Sequence, residues 1–397
     1  MKKWAARLAW IGFGCLLAFL MLEGLTRLAF PAARESDKFW QPDPLLGWTN
    51  IPNKHGYYRS DEFADVPVAI NSRGLRDNEY AYEKPSGTCR ILVLGDSFVQ
   101  ALQVRAEESF CKLLEAQLNQ QARSGQRFEV INAGTMGYGT DQELLFWRQE
   151  GFRYHPDLVI LTFCTINDVM DNSPELEVKD LGERKQFFVL KDGRLELQQV
   201  TFATEETSQG GGGILGVLRR LARQSRLYQI VRRMWAARTQ GMTRVDSQAT
   251  GGQAAPGETG ALRTMPVHYG VYAPEYAPEW QQAWEVTRAI LLQLRDETQA
   301  SGARLMVMSA TTGEELYDEW RHMLPEGWDL DKPNRILAGF LPQNGIPFLS
   351  LLPAFRQDYQ QTGRYLHFRV DGHWTIEGHA LTAQTLYNYL AQQERMP

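Results

Sequence analysis

RILVLGDSFVQA, residues 90–101, is the stretch of sequence that decides the fold. Its apolar run at 91–95 is typical of a buried strand, Asp96 follows in a tight turn, and an amphipathic helical pattern comes next. A strand that turns directly into a helix places Ser97 at the carboxyl end of the strand, where open α/β sheets keep their reactive groups. On these residues alone a second interpretation stays open, in which Ser97 only caps the helix.

Strand-like and helical patterns alternate along the rest of the chain. Strands are expected at residues 91–95, 128–132, 158–163, 304–309 and 347–351. Helices are expected near residues 108–122, 141–151, 278–301 and 375–393. Alternation with short connections predicts an α/β fold, a three-layer α/β/α sandwich with a five-stranded parallel sheet between two layers of helices.

Composition indicates a globular protein. The chain has 397 residues, of which 43% are hydrophobic and 22% are charged, and this excludes an intrinsically disordered protein. The formal net charge is -5, although residues 214–238 carry seven arginines and no acidic residue. The remainder of the chain is therefore acidic, and no nucleic-acid-binding surface is indicated.

The arginine-rich segment, residues 214–238, has a helical pattern with its apolar residues largely on one side. Three interpretations stay open: a lid packed over the site, an interfacial membrane helix, and a groove for an acidic polymer. The lid is favoured among the three.

The four cysteines match no metal-binding or redox motif. Cys15 lies in an apolar N-terminal run, whereas Cys89, Cys111 and Cys164 are scattered through the main domain. We expect them to be small buried hydrophobic residues. A disulfide between Cys89 and Cys111 is the alternative if this domain lies outside the cytoplasm.

Residues 1–33 are predicted to form an N-terminal membrane anchor. Lys2, Lys3 and Arg7 precede an uncharged run at 8–22, which by the positive-inside rule leaves the N-terminus in the cytoplasm and the rest of the chain outside. This run rises only about 22 Å as a helix, so a full span also needs flanking residues. A cleavable signal peptide is the alternative, but no convincing cleavage site follows, and an uncleaved anchor is favoured.

The rest of the chain is predicted to divide into a preface, a main domain and an insertion. Residues 34–88, rich in Pro, Gly, Asn and aromatic residues, form the small β-rich preface. The main domain comprises residues 89–172 and 264–397. The insertion, residues 173–263, has a possible hairpin at 187–197, followed by the arginine-rich segment and a polar tract that is expected to be flexible.

One segment of the preface, NSRGLRD at residues 71–77, has two interpretations. It either contacts the active site or forms a turn with solvated arginines. The turn is favoured.

Three further stretches place reactive groups at the ends of expected elements. VINAGTMGYGT, residues 130–140, ends a strand in a glycine-rich turn, where a backbone N–H can approach a reacting carbonyl because glycine has no Cβ. TIND, after the third strand, lets Asn167 aim its amide at the same point. VDGHWTIEGH, residues 370–379, supplies Asp371 and His373 just before the last helix. Groups that converge in this way make an acyl-transfer site.

With these blocks in this order, the chain resembles the SGNH, or GDSL, hydrolase superfamily from residue 90 to about residue 393. The resemblance implies a flavodoxin-like form of the three-layer sandwich. GDSF matches the first block and makes Ser97 the nucleophile, whose own N–H joins the oxyanion hole. The glycine of the second block falls on Gly137, five residues after Asn132, with Gly134 as the weaker candidate.

The third and fourth blocks depart from the usual family pattern. TIND matches the family's GxND and implies that Asn167 is the side-chain oxyanion donor, although Thr165 replaces the glycine. DGHW has one residue fewer than the DxxH of most relatives, as in the membrane-linked and periplasmic relatives that include alginate O-acetyltransferases. The resemblance implies that His373 is the general base and Asp371 its orienting acid.

His379 lies six residues after His373 and is expected to cap or pack at the closing helix. A metal site formed by Asp371, His373 and His379 is disfavoured, since no further ligand cluster is evident. The implied acyl-transfer chemistry requires no metal and no organic cofactor.

The sequence predicts an outward-facing, membrane-anchored carboxylic ester hydrolase. Its expected substrate is an acyl ester on cell-envelope or exported glycans or lipids. One alternative is an O-acyltransferase with the same triad, in which a sugar hydroxyl of an exported polysaccharide replaces water. The other is a non-catalytic glycan-binding assembly subunit, against which the complete set of Ser97, Asn167, Asp371 and His373 argues.

Overall fold

The computed structural model describes residues 2–29, 36–177, 185–198, 225, 228 and 265–392. The chain divides into two compact units. One comprises Ser36–Val200 and Pro266–Pro397, and the other comprises Met1–Glu35 and Thr201–Met265. Of the arginine-rich segment only Ser225 and Tyr228 are described, and its predicted helix, like the polar tract after it, otherwise lies outside the described residues. The five-part division of the chain stays a prediction.

The smaller unit contains helix α1 (Lys2–Ala29). The Glu23 side chain of this helix is buried and accepts a hydrogen bond from Ser225 Oγ at 2.8 Å. Among the residues that the structure describes, no helix combines the length and the apolar character needed to cross a bilayer. The anchor expected at residues 1–33 stays a prediction.

The larger unit contains the described strands, numbered in chain order. They are β1 (Trp40–Asp43), β2 (Gly47–Asn50), β3 (His55–Tyr58), β4 (Val66–Ala69), β5 (Thr88–Gly95), β6 (Arg127–Gly134), β7 (Leu158–Cys164), β8 (Phe187–Lys191), β9 (Arg194–Gln198), β10 (Arg304–Ala310) and β11 (Phe348–Ser350). One sheet has the order β11-β10-β7-β5-β6, and every neighbouring pair in it is parallel. This confirms the predicted α/β fold with a five-stranded parallel sheet.

The larger unit also contains the remaining described helices. The α-helices are α2 (Ser97–Gln100), α3 (Phe110–Gln120), α4 (Thr140–Gln149), α5 (Asp168–Asp171), α6 (Pro278–Ala300), α7 (Gly313–Leu316), α8 (Lys332–Phe340), α9 (Leu352–Thr362) and α10 (Ile376–Gln392). The 3₁₀ helices are Ala106–Glu108, Gly151–Tyr154, Val267–Tyr272, Asp318–Met323 and Pro342–Asn344. Helices α3 and α10 pack against each other, as do α4 and α6.

Helices cover both faces of the sheet. In β5, Ile91 and Val93 belong to a core cluster that includes Phe110 of α3. Leu92, between them, approaches Gly151 just after α4. Since successive residues of a strand point to opposite faces, α3 and α4 lie on opposite sides of the sheet. Every residue of β5 is buried, as expected for a central parallel strand between two helical layers.

The preface contains two antiparallel hairpins, β1–β2 and β3–β4. In β4, Val66 and Val68 are buried and alternate with exposed residues, and they share a small apolar cluster with Leu102, just after α2. Trp48 Nε1 of β2 donates to Met136 O at 2.8 Å. The hairpins therefore contact two segments of the main domain: β4 contacts the segment just after α2, and β2 contacts the segment just after β6.

The insertion contains the hairpin predicted at residues 187–197, formed by β8 and β9. Asp192 and Gly193 have φ angles of 50° and 73°, the left-handed backbone of a two-residue turn. Just before β8, the buried Lys185 Nζ lies 2.8 and 2.9 Å from the two carboxylate oxygens of Asp141 in α4. This ion pair fixes the start of the hairpin to the core.

The cysteines of the main domain have no covalent partner. Cys89, Cys111 and Cys164 are free and buried, which confirms that they act as small hydrophobic residues. The alternative of a disulfide between Cys89 and Cys111 is wrong.

Candidate active site

Ser97 is the first residue of α2 and follows β5 directly. Asp96 occupies the N-cap position, and its carboxylate accepts a hydrogen bond from Phe98 N at 2.9 Å. Ser97 is therefore not the helix cap, because Asp96 has that role. A Cβ at Gly95 would lie 2.2 Å from Val99 Cγ2, so glycine is what lets the strand turn this closely into the helix.

A buried guanidinium holds the end of α2. Ala101 follows the helix with a left-handed φ of 57°. Arg76 is only 3% exposed and donates to Gln100 O at 2.8 Å and to Val104 O at 2.6 Å, and it also binds Ala101 O. The interpretation of residues 71–77 as a turn with solvated arginines is therefore wrong for Arg76, which supports the helix that begins with Ser97.

The structure brings three of the predicted residues into one hydrogen-bonded chain. His373 Nε2 lies 2.7 Å from Ser97 Oγ, and His373 Nδ1 lies 2.7 Å from Asp371 Oδ1. Since an ionised carboxylate can only accept, this arrangement suits a neutral imidazole that donates from Nδ1 and accepts the serine hydroxyl at Nε2. The side chains of His373 and Asp371 are 23% and 16% exposed, so solvent reaches this chain of groups.

A tight loop carries the aspartate and the histidine of this chain. His367 and Trp374 form an antiparallel bridge at its base. Across the loop, Phe368 N donates to His373 O at 2.8 Å, and Gly372 N donates to Phe368 O at 3.0 Å. Gly372 has a φ of 85°, which residues with a Cβ rarely adopt. The glycine of DGHW therefore serves the turn between the aspartate and the histidine.

The two histidines that flank this chain of groups are buried. His379 stacks on Phe110 with ring centroids 6.1 Å apart and lies edge-on to Trp374 at 5.5 Å. Burial lowers the pKa of His379 to about 3 and that of His367 to about 4, so both are neutral near pH 7. The expectation that His379 packs at the closing helix is confirmed. Within the described ranges, no group of three or more His, Cys, Asp or Glu side chains is arranged to hold a metal ion.

The predicted oxyanion donors follow the two strands that flank β5. In register, Gly95 lies opposite Gly134 of β6 and Thr162 of β7, so the three strands end at one edge of the sheet. Asn167 lies at the N-terminal end of α5 after β7, and Gly137 follows β6 with a left-handed φ of 74°. The role of these residues as oxyanion donors to a substrate on Ser97 stays a prediction.

Local contacts distinguish the two candidate glycines and orient the asparagine. Gly134 N donates to Asn132 Oδ1 at 2.9 Å, and a Cβ at Gly134 would lie 2.3 Å from Gln100 N. Gly134 therefore serves the packing of β6 against α2, which favours Gly137 as the donor. Asn167 Nδ2 donates to Asp171 Oδ2 at 3.1 Å, which restrains the side-chain amide.

Thr165, the first residue of TIND, is buried and donates to Glu315 Oε1 of α7 at 2.9 Å. Glu315 also accepts from Thr312 N at 3.0 Å and from Asn334 Nδ2 at 3.2 Å. Burial raises the pKa of Glu315 to about 8. The threonine is thus tied to a buried carboxyl group that no local motif had singled out.

Buried acidic side chains surround the strand ends near the serine. They are Asp96, Asp141, Glu143, Asp168 and Asp171. Burial, together with the negative charges of Asp96 and Asp141, raises the pKa of Glu143. Burial and the charge of Glu143 raise the pKa of Asp168 in the same way. Glu143 and Asp168 therefore keep their protons to a higher pH than exposed carboxyl groups do, which limits the negative charge at these strand ends.

Comparison with known proteins gives matches only among solved structures. No protein family model matches the chain, and no curated protein matches it. The acetyl xylan esterase AlAXEase is 12% identical, with 76% of this chain and 99% of that chain covered and a TM-score of 0.40. A lipase/acylhydrolase from Enterococcus faecalis is 12% identical, with coverage of 77% and 96% and a TM-score of 0.39. A catalytic variant of the acetylxylan esterase Axe2 from Geobacillus stearothermophilus is 14% identical, with coverage of 75% and 92% and a TM-score of 0.38.

Proposed function

We propose that this chain is a serine esterase that hydrolyses carboxylic esters through an acyl-enzyme on Ser97. The observation that carries the proposal is the chain of hydrogen bonds from Ser97 Oγ to His373 Nε2 and from His373 Nδ1 to Asp371, each at 2.7 Å. A serine, a base and an orienting carboxylate in this geometry activate the hydroxyl for attack on a carbonyl carbon.

In the first step, His373 Nε2 accepts the Ser97 hydroxyl proton while Oγ attacks the ester carbonyl. Asp371 stabilises the imidazolium that forms. The N–H groups of Ser97 and Gly137 and the amide of Asn167 bind the oxyanion. The imidazolium then returns its proton to the departing alcohol. In the second step, water attacks the acyl-enzyme with help from His373, and the carboxylic acid leaves.

We further propose that the ester is an acyl group on a cell-envelope or exported glycan or lipid, and that residues 1–33 anchor the enzyme with the catalytic domain outside the cytoplasm. Support for this comes from the sequence. Lys2, Lys3 and Arg7 precede an apolar run, and the shortened DGHW block is shared with membrane-linked relatives that act on exported polysaccharides.

The second candidate function is O-acyl transfer, in which a sugar hydroxyl takes the place of water in the second step. The DGHW block is the observation that favours it, because the resembling alginate O-acetyltransferases share that block. Both functions use the same acyl-enzyme on Ser97, and they differ in the acceptor.

The test of the proposal is covalent labelling at Ser97. We expect a serine-directed fluorophosphonate to add once to the protein, with the adduct mapped to Ser97 by peptide mass spectrometry. We also expect turnover of short-chain aryl esters that Ser97→Ala abolishes at an unchanged melting temperature. Equal turnover by a folded Ser97→Ala protein would show that Ser97 is not the nucleophile. A folded wild-type protein that is neither labelled nor active would instead support the non-catalytic binding subunit.

A further inference from the structure

The loop between β3 and β4 contacts the loop that carries Asp371 and His373. The carboxylate of Glu62 accepts hydrogen bonds from three successive backbone N–H groups. Val370 N donates to both of its oxygens, at 2.9 and 3.1 Å, Asp371 N donates at 2.9 Å, and Arg369 N donates as well. Hydrogen bonds to an ionised acceptor are stronger than those between neutral groups, so this contact restrains the backbone at Asp371.

Aromatic packing holds the two loops together beside the carboxylate. The rings of Phe63 and Phe368 have centroids 4.9 Å apart, and Tyr58 stacks on Phe63 at 6.0 Å. Burial and the nearby charge of Asp371 raise the pKa of the Tyr58 hydroxyl to about 12. The loop between β3 and β4 therefore contacts the loop that carries Asp371 and His373 in two ways, through the ring of Phe63 and through the carboxylate of Glu62.

At the tip of the loop that carries Asp371 and His373, the side chain of Val370 contributes little packing. Val370 is 89% exposed. Arg369, beside it, has its guanidinium over the ring of Tyr365, at 4.3 Å from the centroid. The backbone hydrogen bonds to Glu62 therefore hold Val370 and Asp371 at a place where the side chain of Val370 packs against little. An error of about 1 Å in the position of a catalytic group lowers rates by about 100-fold, so such a restraint matters for turnover.

We propose that Glu62 is a positioning residue for the catalytic Asp371–His373 pair. This inference rests on the proposed esterase function. Glu62 acts through the backbone of residues 369–371 and takes no part in proton transfer. It makes the preface a component of the active site.

The main test compares Glu62→Gln with Asp61→Asn in the full chain. Glutamine keeps the shape of Glu62 but replaces one accepting oxygen by an NH2 group, which cannot accept from the backbone. We expect kcat to fall about 10- to 100-fold while KM changes less than about twofold. Asp61 is exposed, and Asp61→Asn makes the same charge change one residue away, so it should keep wild-type kcat. Equal kcat values for Glu62→Gln and wild type would overturn the proposal.

A double-mutant cycle separates positioning from general destabilisation. In an Asp371→Asn background, Glu62→Gln should lower kcat by less than about twofold further, because the group that it positions is already disabled. A full, independent loss in that background would show that Glu62 does not act through Asp371 and would overturn the proposal.

Amide hydrogen exchange gives a measurement that does not depend on activity. We expect the amides of residues 369–371 to exchange more rapidly in Glu62→Gln than in wild type or Asp61→Asn. Unchanged exchange would overturn the positioning role. If the wild-type protein shows no Ser97-dependent turnover, the esterase proposal fails, while exchange still tests the restraint by Glu62.

Discussion

Three nearby histidines have different surroundings. His367 and His379 are buried and have lowered pKa values, whereas the side chain of His373 keeps 23% exposure. Both ring nitrogens of His367 are engaged, with Tyr317 OH at 3.1 Å and Thr311 O at 3.0 Å. Of the three histidines, only His373 combines solvent exposure with contacts to Ser97 and Asp371, and its role as the general base stays a prediction.

His373→Gln should abolish most turnover, whereas His379→Gln should mainly lower stability. We expect kcat to fall by at least about 1000-fold in His373→Gln, because the serine loses its general base. His379→Gln removes an aromatic ring packed between Phe110 and Trp374, so its melting temperature should fall while kcat stays within a few-fold of wild type. Steady-state kinetics and thermal melts of both proteins check this. Similar losses of kcat at similar stability would mean that the base is misassigned.

Glu315 should make the stability of the protein depend on pH. Its carboxyl group has an ordinary pKa of 4.5 and a folded-state pKa of about 8, raised by burial. Below about pH 4.5 both states are protonated. As the pH rises towards 8 only the unfolded state loses its proton, so the free energy of unfolding falls, by about 4 kcal/mol over this interval.

Denaturant titrations between pH 4 and pH 9 test this for Glu315→Gln, which stays neutral. The variant should lose much of the wild-type decrease in unfolding free energy between pH 4.5 and 8. Glu326→Gln, a change at an exposed glutamate, should keep the wild-type pH dependence. If Glu315→Gln and wild type give parallel curves, Glu315 is ionised in the folded protein near pH 7.

At the scale of elements, the four-residue helix α2 depends on a residue from the preface. Arg76 binds the carbonyl groups at the end of this helix, where the chain turns through a left-handed Ala101. Burial lowers the pKa of Arg76 to about 10, so it remains charged near pH 7. Without the guanidinium, these buried carbonyl groups would lose their charged donor.

Arg76→Met should destabilise the protein by about 2–4 kcal/mol and lower the labelling rate of Ser97, which begins the same helix. Arg73→Met is the matched control, because Arg73 lies in the same segment but is exposed, over the ring of Tyr82 at 4.4 Å. Its cost should stay below about 1 kcal/mol. Urea unfolding and fluorophosphonate labelling rates measure both effects. Comparable losses of stability and labelling rate for the two variants would show that the buried contacts of Arg76 contribute no more than the exposed contact of Arg73.

The elements that could be predicted from the sequence are those with a strong local signal. The strands of the sheet were predictable because they are apolar along most of their length, as parallel strands buried on both faces must be. Helices α8 and α9 were not predicted. In α9 only Leu352 and Phe355 are buried, which is too short an apolar repeat to stand out. Its signals were Pro353 in the first turn and Gly363, with a φ of 66°, at its end.

At the scale of the whole molecule, residues that no local motif marks escaped prediction. Ser97, Asp371 and His373 stand in recognisable blocks. Glu62 contacts Asp371 across 309 positions of the chain, and no local pattern marks it. Glu315 was missed for the same reason, since its hydrogen bond to Thr165 spans 150 positions. Tertiary packing, rather than any local motif, decides these contacts.

The orientation of the chain relative to a membrane remains testable through its first residues. Lys2, Lys3 and Arg7 before the uncharged run at 8–22 predict an N-terminus inside and a C-terminus outside the cytoplasm. A reporter at the C-terminus that works only outside the cytoplasm should therefore be active. A matched reporter that works only inside should be silent, and a signal from it would overturn the topology.

Water should be a competent acceptor for the acyl-enzyme, even if the physiological acceptor is a sugar. Esterase and transferase share every step up to the acyl-enzyme, and they separate only where the second step excludes water and positions a hydroxyl group. The side chains of His373 and Asp371 are 23% and 16% exposed, so water can reach the base. We therefore expect slow hydrolysis of small activated esters.

Product partition decides between the two acceptors. An acyl donor and an oligosaccharide are supplied together to the wild-type protein, and free acid and acylated sugar are followed by mass spectrometry. Ser97→Ala, which cannot form the acyl-enzyme, gives the background for both products. Since solvent reaches the His373–Asp371 pair, we expect free acid to dominate. Predominant acylation of the sugar in dilute aqueous solution would mean that the acceptor site selects a hydroxyl group over about 55 M water, and the function would then be acyl transfer.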